Sequence, residues 1–276
     1  MPKNRRKISG TKVFFTVWIV LTMIFLFFPI AQIILMSFNT SVYGRLPIVF
    51  TTQWYVKLFT TSKLLGAAGF SLGFSLVVSL VSAVLGIMAS LALRKFPTRL
   101  NNIFNTLMDV PLMIPWLVQA VSLLLLFSFV GIGRSIPSMF LGCLAAVMPH
   151  SFMLTYSRVM TMDPYPEEAG RTLGATPLQV FRDITFRMIF PAVLAGWLMS
   201  FVLCFNCFSL QYYLAPFGTY TLPMKIFTLI RSGSKPDMNA LATIMVGITF
   251  AIILILNKIG FGADQLFGAP RRGEKE

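Results

Sequence analysis

Long apolar runs broken by short polar segments dominate the pattern of this chain. Six windows carry no ionised side chain: 13–44, 64–93, 110–133, 135–157, 188–224 and 238–257. Each reaches the ~20 residues a helix needs to cross the hydrocarbon core of a bilayer. They predict six spanning helices, near 13–36, 68–92, 108–130, 136–158, 189–213 and 239–259. Pro29, Pro115, Pro149 and Pro191 lie in or near these spans, where neighbouring helices can satisfy a kinked backbone. The fold class is therefore all-α integral membrane protein, read as one transmembrane domain over 1–276. A basic segment 1–12, a polar loop 159–187 and a polar tail 260–276 lie outside the spans.

Composition supports the same class. Of the 276 residues 56% are hydrophobic, and the mean hydropathy is +0.78. A soluble domain of this size cannot bury that much apolar surface. The net charge of +14 would suit nucleic acid. The basic residues are dispersed, however, and no soluble face exists to gather them into a groove. The positive-inside rule accounts for them better. With a cytoplasmic N-terminus, the outer side of the 23 Lys and Arg holds Arg45, Lys57, Lys63, Arg134, Lys225, Arg231 and Lys235. The rest fall inside. Both termini and the 159–187 loop are then cytoplasmic. The basic N-terminus precedes an apolar run of ~24 residues with no small-residue cleavage site, so it reads as a retained first span.

The 159–187 loop is the one polar segment with its own helical grammar. Pro166 suits a first helical turn. Glu167 and Glu168 follow it, where the helix dipole favours negative charge. Gly174 can adopt the left-handed conformation that ends a helix. Thr176 is then an N-cap, Pro177 a first-turn residue and Gln179 the far side of a capping box. The second helix presents Leu178, Phe181 and Ile184. An amphipathic helix-turn-helix inside a membrane protein has to dock on something outside the bilayer.

Chemistry that would mark an enzyme is missing from the sequence. No G-x-x-x-x-G-K-[ST] loop occurs, so the chain does not bind ATP in the P-loop manner. No H-E-x-x-H and no cluster of metal ligands occurs either. The single histidine, His150, reads as a packed, hydrogen-bonded residue. Cys143, Cys204 and Cys207 all fall inside spans and read as packing residues. Asp109 sits at the edge of the third span and reads as an interfacial or helix-start residue. Gly69 and Gly73 form a G-x-x-x-G that lets helices approach closely. Trp116 and Gln119 in the third span, with Asn206, Ser209 and Tyr213 on one face of the fifth, are costly against lipid unless hydrogen-bonded. That face either packs on another helix or lines a water-filled route.

The loop residues also carry a family resemblance. The pattern Glu-Ala-Ala, three residues, Gly, nine residues, Ile, one residue, Leu-Pro belongs to membrane subunits of bacterial ABC importers. Here Glu168, Ala169, Gly174 and Ile184 match at that spacing, with Gly170 for the second Ala and Phe186-Arg187 for Leu-Pro. From about Val110 to Leu254 the chain resembles the second permease of spermidine/putrescine-type importers. The strings Tyr156-Ser157-Arg158, Ala195-Gly196-Trp197, Leu222-Pro223-Met224-Lys225-Ile226 and Asn239-Ala240-Leu241-Ala242-Thr243-Ile244 carry that likeness. In the fifth span those permeases often have acidic residues where this chain has Asn206-Cys207.

The resemblance implies a type I importer permease with a cytoplasmic coupling helix-turn-helix between spans four and five. It implies a bacterial inner-membrane location and a second permease, two ATPase subunits and an extracytoplasmic binding protein as partners. ATP and Mg²⁺ would reside in the ATPase, and this chain would hold no cofactor. Glu168, Ala169, Gly170, Gly174, Leu178, Phe181 and Ile184 would meet the ATPase. A polyamine or other organic ion would be the cargo. The rival reading is a self-contained carrier or channel driven by an ion gradient.

Overall fold

The structure, a computed structural model, describes residues 10–41, 49–60, 63–96, 98–231, 238–247 and 250. The described residues are helical apart from connections and one isolated bridge, Asn39 to Phe50. Contacts divide the chain into two compact units, Met1–Leu65 with Leu229–Ile259, and Gly66–Thr228 with Gly260–Glu276.

In the first unit, α1 (Gly10–Ser37) is apolar on all sides, and none of its most apolar stretch is buried within the chain. A helix that is hydrophobic all round and leaves that surface open belongs in lipid. Its C-terminal end is fastened to α2 (Gln53–Thr60). The buried Trp54 indole donates to the Asn39 carbonyl at 2.7 Å, and the Tyr55 and Ser37 hydroxyls share a bond at 2.8 Å. These two aromatics anchor α2 to the end of α1.

The second unit holds α3 (Leu64–Leu93, from Gly66 on), α4 (Thr98–Met113), α5 (Trp116–Phe129) and α6 (Ile136–Met160). It continues with α7 (Tyr165–Thr172), α8 (Pro177–Val180), a π-helical turn (Phe181–Thr185), α9 (Phe186–Phe205), α10 (Phe208–Leu214) and α11 (Leu222–Arg231, to Thr228). The helix α6 packs chiefly on α9, and α10 packs on α5 and α6. A core of Val78, Ala120, Met139, Cys143, Val147, Cys204, Cys207, Leu210 and Leu214 joins these helices. A smaller cluster of Val159, Met162, Ile189 and Val193 lies at the far ends of α6 and α9. The three cysteines are free thiols buried in the main core.

Among the described residues four helices are long and apolar enough to cross a membrane: Thr11–Ser37, Leu64–Leu93, Ile136–Met160 and Pro177–Phe205. The expected third span, 108–130, is not one straight helix. It falls in two pieces, Arg99–Met113 and Trp116–Phe129, bent by 104°. Pro115 lacks the N–H that would continue the ladder, and the chain turns there. Counting that pair as one span gives five. The expected sixth, 239–259, is described only as the apolar helix Met238–Gly247, and most of its remainder lies outside the described residues.

Close helix approach occurs away from the G-x-x-x-G. A Cβ added at Gly69 or Gly73 would meet nothing within 4 Å. At Gly196 on α9 it would lie 3.1 Å from the Ser151 Cα and 3.1 Å from its carbonyl oxygen. At Gly86 on α3 it would lie 3.2 Å from the Phe152 nitrogen and 3.2 Å from Ser151 Oγ. One turn of α6 is thus held between two glycines, with Ser82 and Ser200 hydrogen-bonded across α3 and α9 at 3.2 Å.

Candidate coupling elbow and membrane path

The polar loop folds into two helical pieces around a left-handed corner. Tyr165 N–H donates to Asp163 Oδ1 at 3.0 Å ahead of α7. Glu167 and Glu168 occupy its first turn. The end of α7 is a Schellman motif: Ala175 N–H reaches the Gly170 carbonyl at 3.1 Å and Gly174 N–H the Arg171 carbonyl at 3.0 Å. Gly174 has φ +85°, which only glycine adopts freely. Both capping-box bonds form, Thr176 N–H to Gln179 Oε1 at 2.8 Å and Gln179 N–H to Thr176 Oγ1 at 3.4 Å.

The second helix does not end after Ile184. It passes through the π-helical turn, where Phe186 N–H donates to the Phe181 carbonyl, and runs on as α9. The family's proline would stand at position 187. Arg187 keeps its backbone N–H there, so no ladder bond is lost. The expected fifth span therefore starts well before 189, and Pro177–Phe205 is one continuous rod.

Side chains of the elbow sort into two sets. Leu178 is 75% exposed, Phe181 lies at the surface, and Leu173 is 88% exposed. Ile184 instead turns inward. Its Cδ1 lies 2.7 Å from where a Cβ on Gly170 would stand, and Val180 beside it is buried. Gly170 thus makes room for Ile184 inside the elbow. Ala169 and Glu168 are exposed. Leu173 and Tyr165 extend the outward apolar surface; their signal in the sequence was an apolar residue among polar neighbours.

Glu167, which the spacing pattern passes over, holds the elbow to the bundle. Its Oε2 accepts from Arg94 Nη1 at 2.9 Å, and its Oε1 accepts from Thr185 Oγ1 at 2.6 Å. An open groove of about 450 Å³ lies between these elements, lined in part by Leu91, Arg94, Lys95, Glu168, Arg171 and Phe181.

The path residues are less unified than their spacing implied. The α9 helix stops at Phe205, with Asn206 as its C-cap. Cys207, at φ −75° and ψ 81°, makes an inverse γ-turn in which Phe208 N–H meets the Asn206 carbonyl at 2.9 Å. Asn206 therefore does not share a continuous helical face with Ser209 and Tyr213, which are half-buried on α10. The Asn206 amide donates to the Val202 carbonyl at 2.9 Å. Gln211 bridges the break: it is fully buried and donates to the Cys204 carbonyl at 2.7 Å. Trp116 packs on the main core, while Gln119 is buried with its Oε1 unpartnered among the described residues. Asp109 is exposed on α4.

Residues 82–264 match the family described as binding-protein-dependent transport system inner membrane component. The chain belongs to that family. This permease is 34% identical over 230 residues to the putrescine transport system permease protein PotI of Escherichia coli, covering 81% of this chain and 82% of that one. It is 30% identical over 231 residues to the spermidine/putrescine transport system permease protein PotC of Haemophilus influenzae, covering 84% and 90%. Among solved structures, a bacterial ABC transporter that imports the acidic polysaccharide alginate has a chain matching with a TM-score of 0.69. That match covers 95% of the permease and 100% of the other chain at 15% identity, and it speaks for the fold. The permease is thus a multi-pass inner-membrane subunit of an ABC importer, and gradient-driven carriage by this chain alone is disfavoured.

Proposed function

We propose that the permease forms, with a second permease chain, the route for a small alkylammonium solute of the polyamine type. The observation that carries this reading is the identity to putrescine and spermidine/putrescine permeases over more than four-fifths of the chain. A further relative, the putative 2-aminoethylphosphonate permease PhnV of Salmonella typhimurium, is 29% identical over 252 residues. A primary amine is common to all these cargoes. An extracytoplasmic binding protein delivers the solute. Two ATPase subunits, which hold ATP and Mg²⁺, supply the energy. Six spans with both termini in the cytoplasm place the elbow where an ATPase can meet it.

Each ATPase subunit receives an elbow through the outward set Leu178, Phe181 and Leu173, with Glu168 as a polar anchor. When ATP draws the ATPase subunits together, the elbow moves with its seat. The rod Pro177–Phe205 carries that motion for 29 residues, roughly 43 Å at 1.5 Å per residue, before the break at Asn206. The inner end of the path is thereby tilted against α6 and α3, and access alternates. Trp116, Gln119, Ser209 and Tyr213 are the groups offered to the cargo, the aromatic faces attracting an ammonium.

The test is reconstitution with the cognate ATPase, second permease and binding protein, and measurement of labelled putrescine and spermidine uptake. Uptake requires ATP inside and the loaded binding protein outside. Accumulation by the permease alone on a proton or sodium gradient would sink the reading.

A further inference from the structure

We infer that Glu167 is a positioning residue that ties the elbow to α3, so that ATPase motion reaches α3 as well as the two spans joined covalently to the elbow, α6 and α9. The inference rests on the elbow being the ATPase seat. The chain joins the elbow to α6 through residues 161–164 and to the rod Pro177–Phe205 after the corner. Glu167 adds a non-covalent connection to a third span, α3. One carboxylate oxygen takes Arg94, which follows the last residue of α3, at 2.9 Å. The other takes Thr185 in the π-helical turn, at 2.6 Å. A single carboxylate therefore joins α7, the base of the rod and the inner end of α3.

The setting makes this contact stiffer than an ordinary surface pair. The side chains of Arg94 and Glu167 are 23% and 13% exposed. Both oxygens of the carboxylate are engaged, which fixes its plane as well as its position. The second exposed pair of the loop, Arg182 with Asp183, joins adjacent residues and links no elements. Removing one member of a partly buried pair leaves the other charge short of a partner, so the connection is lost rather than loosened. The five-residue π-helical turn beside it is an over-wide, less regular segment. Thr185, on that turn, is where the rod would otherwise yield first, and Glu167 braces it.

The proposal is tested on the complete reconstituted importer with Glu167→Gln, Arg94→Gln and the double variant. Two quantities are read: ATPase subunit retained on purification, and solute taken up per ATP hydrolysed. Glu167→Gln keeps the size of the side chain and an acceptor for Thr185 while removing the charge. Each single variant is expected to retain the ATPase and to lower the uptake-to-hydrolysis ratio at least threefold. The double variant is expected to match the worse single variant, because both remove the same contact. An unchanged ratio in Glu167→Gln overturns the proposal. So do independent, multiplying losses in the double variant, or loss of the ATPase from Glu167→Gln, which would make the residue part of the seat. If the unsubstituted permease fails to retain the ATPase, the underlying reading falls, and this proposal with it.

Discussion

Replacing Gly196 by Ala puts one methyl where α9 and α6 already touch. The new Cβ would sit 3.1 Å from Ser151 Cα, 3.1 Å from its carbonyl oxygen and 3.2 Å from its Oγ. Two of those three atoms are backbone, so no rotamer change relieves them. The helices must separate by a few tenths of an ångström, against the packing of Ile189, Val193 and Val159 further along the same pair. Overpacking of this kind costs about 1–3 kcal/mol. Against it stands a gain of about 1 kcal/mol from replacing a helix-interior glycine. Gly69→Ala isolates the second term, since nothing lies within 4 Å of its added Cβ. The difference between the two variants is then the packing cost itself, about 1–3 kcal/mol. For a chain of this size that separates their melting temperatures by about 2–12 °C. The assay is thermal unfolding of each variant in detergent under identical conditions, with Gly196→Ala expected below Gly69→Ala. Adding Ser151→Ala removes only the Oγ contact, so it should restore part of the loss and no more. Equal melting of the Gly196→Ala and Gly69→Ala variants, or full rescue by Ser151→Ala, would refute the backbone-contact argument.

Further outcomes follow from the elbow and the break. Gly174→Asp faces open space, so its cost is the left-handed backbone alone, roughly 1 kcal/mol or more; the complex should still bind its loaded binding protein but transport poorly, and normal uptake would remove the elbow from the mechanism. Thr176→Ala deletes the N-cap acceptor and should weaken the start of α8 by about 1 kcal/mol, seen as faster amide exchange at Gln179, whereas Thr176→Ser should keep protection. Gln211→Leu takes the side-chain donor from the Cys204 carbonyl at the helix break, and should destabilise the protein by about 1–3 kcal/mol; an unchanged melting temperature would show that Gln211 does not hold the break together.

What the sequence disclosed, and what it hid, divides by the distance between interacting partners. The four long apolar helices found among the described residues were legible because an uncharged window of sufficient length is a property of one segment. The elbow was legible for the same reason: Pro166, Gly174, Thr176 and Gln179 act on backbone groups within a few positions of themselves. The bend near Pro115 was half legible, since a proline announces lost hydrogen bonding while a mild kink and a 104° turn read alike. The break after Phe205 was not legible. Neither proline nor glycine marks it, and the donor that serves the Cys204 carbonyl comes from a side chain seven residues on. The same blindness exchanged one glycine pair for another. Gly69 and Gly73 form a local motif yet face open space, while Gly86 and Gly196 share no motif and close on the same turn of α6. Glu167 follows this rule too. By helix position it is a first-turn acid like Glu168, and its tie to the bundle shows only through its partners, Arg94, 73 positions away, and Thr185. The exposed acid is thus the one free to meet a partner protein, and the half-buried acid the one committed to the permease's own frame.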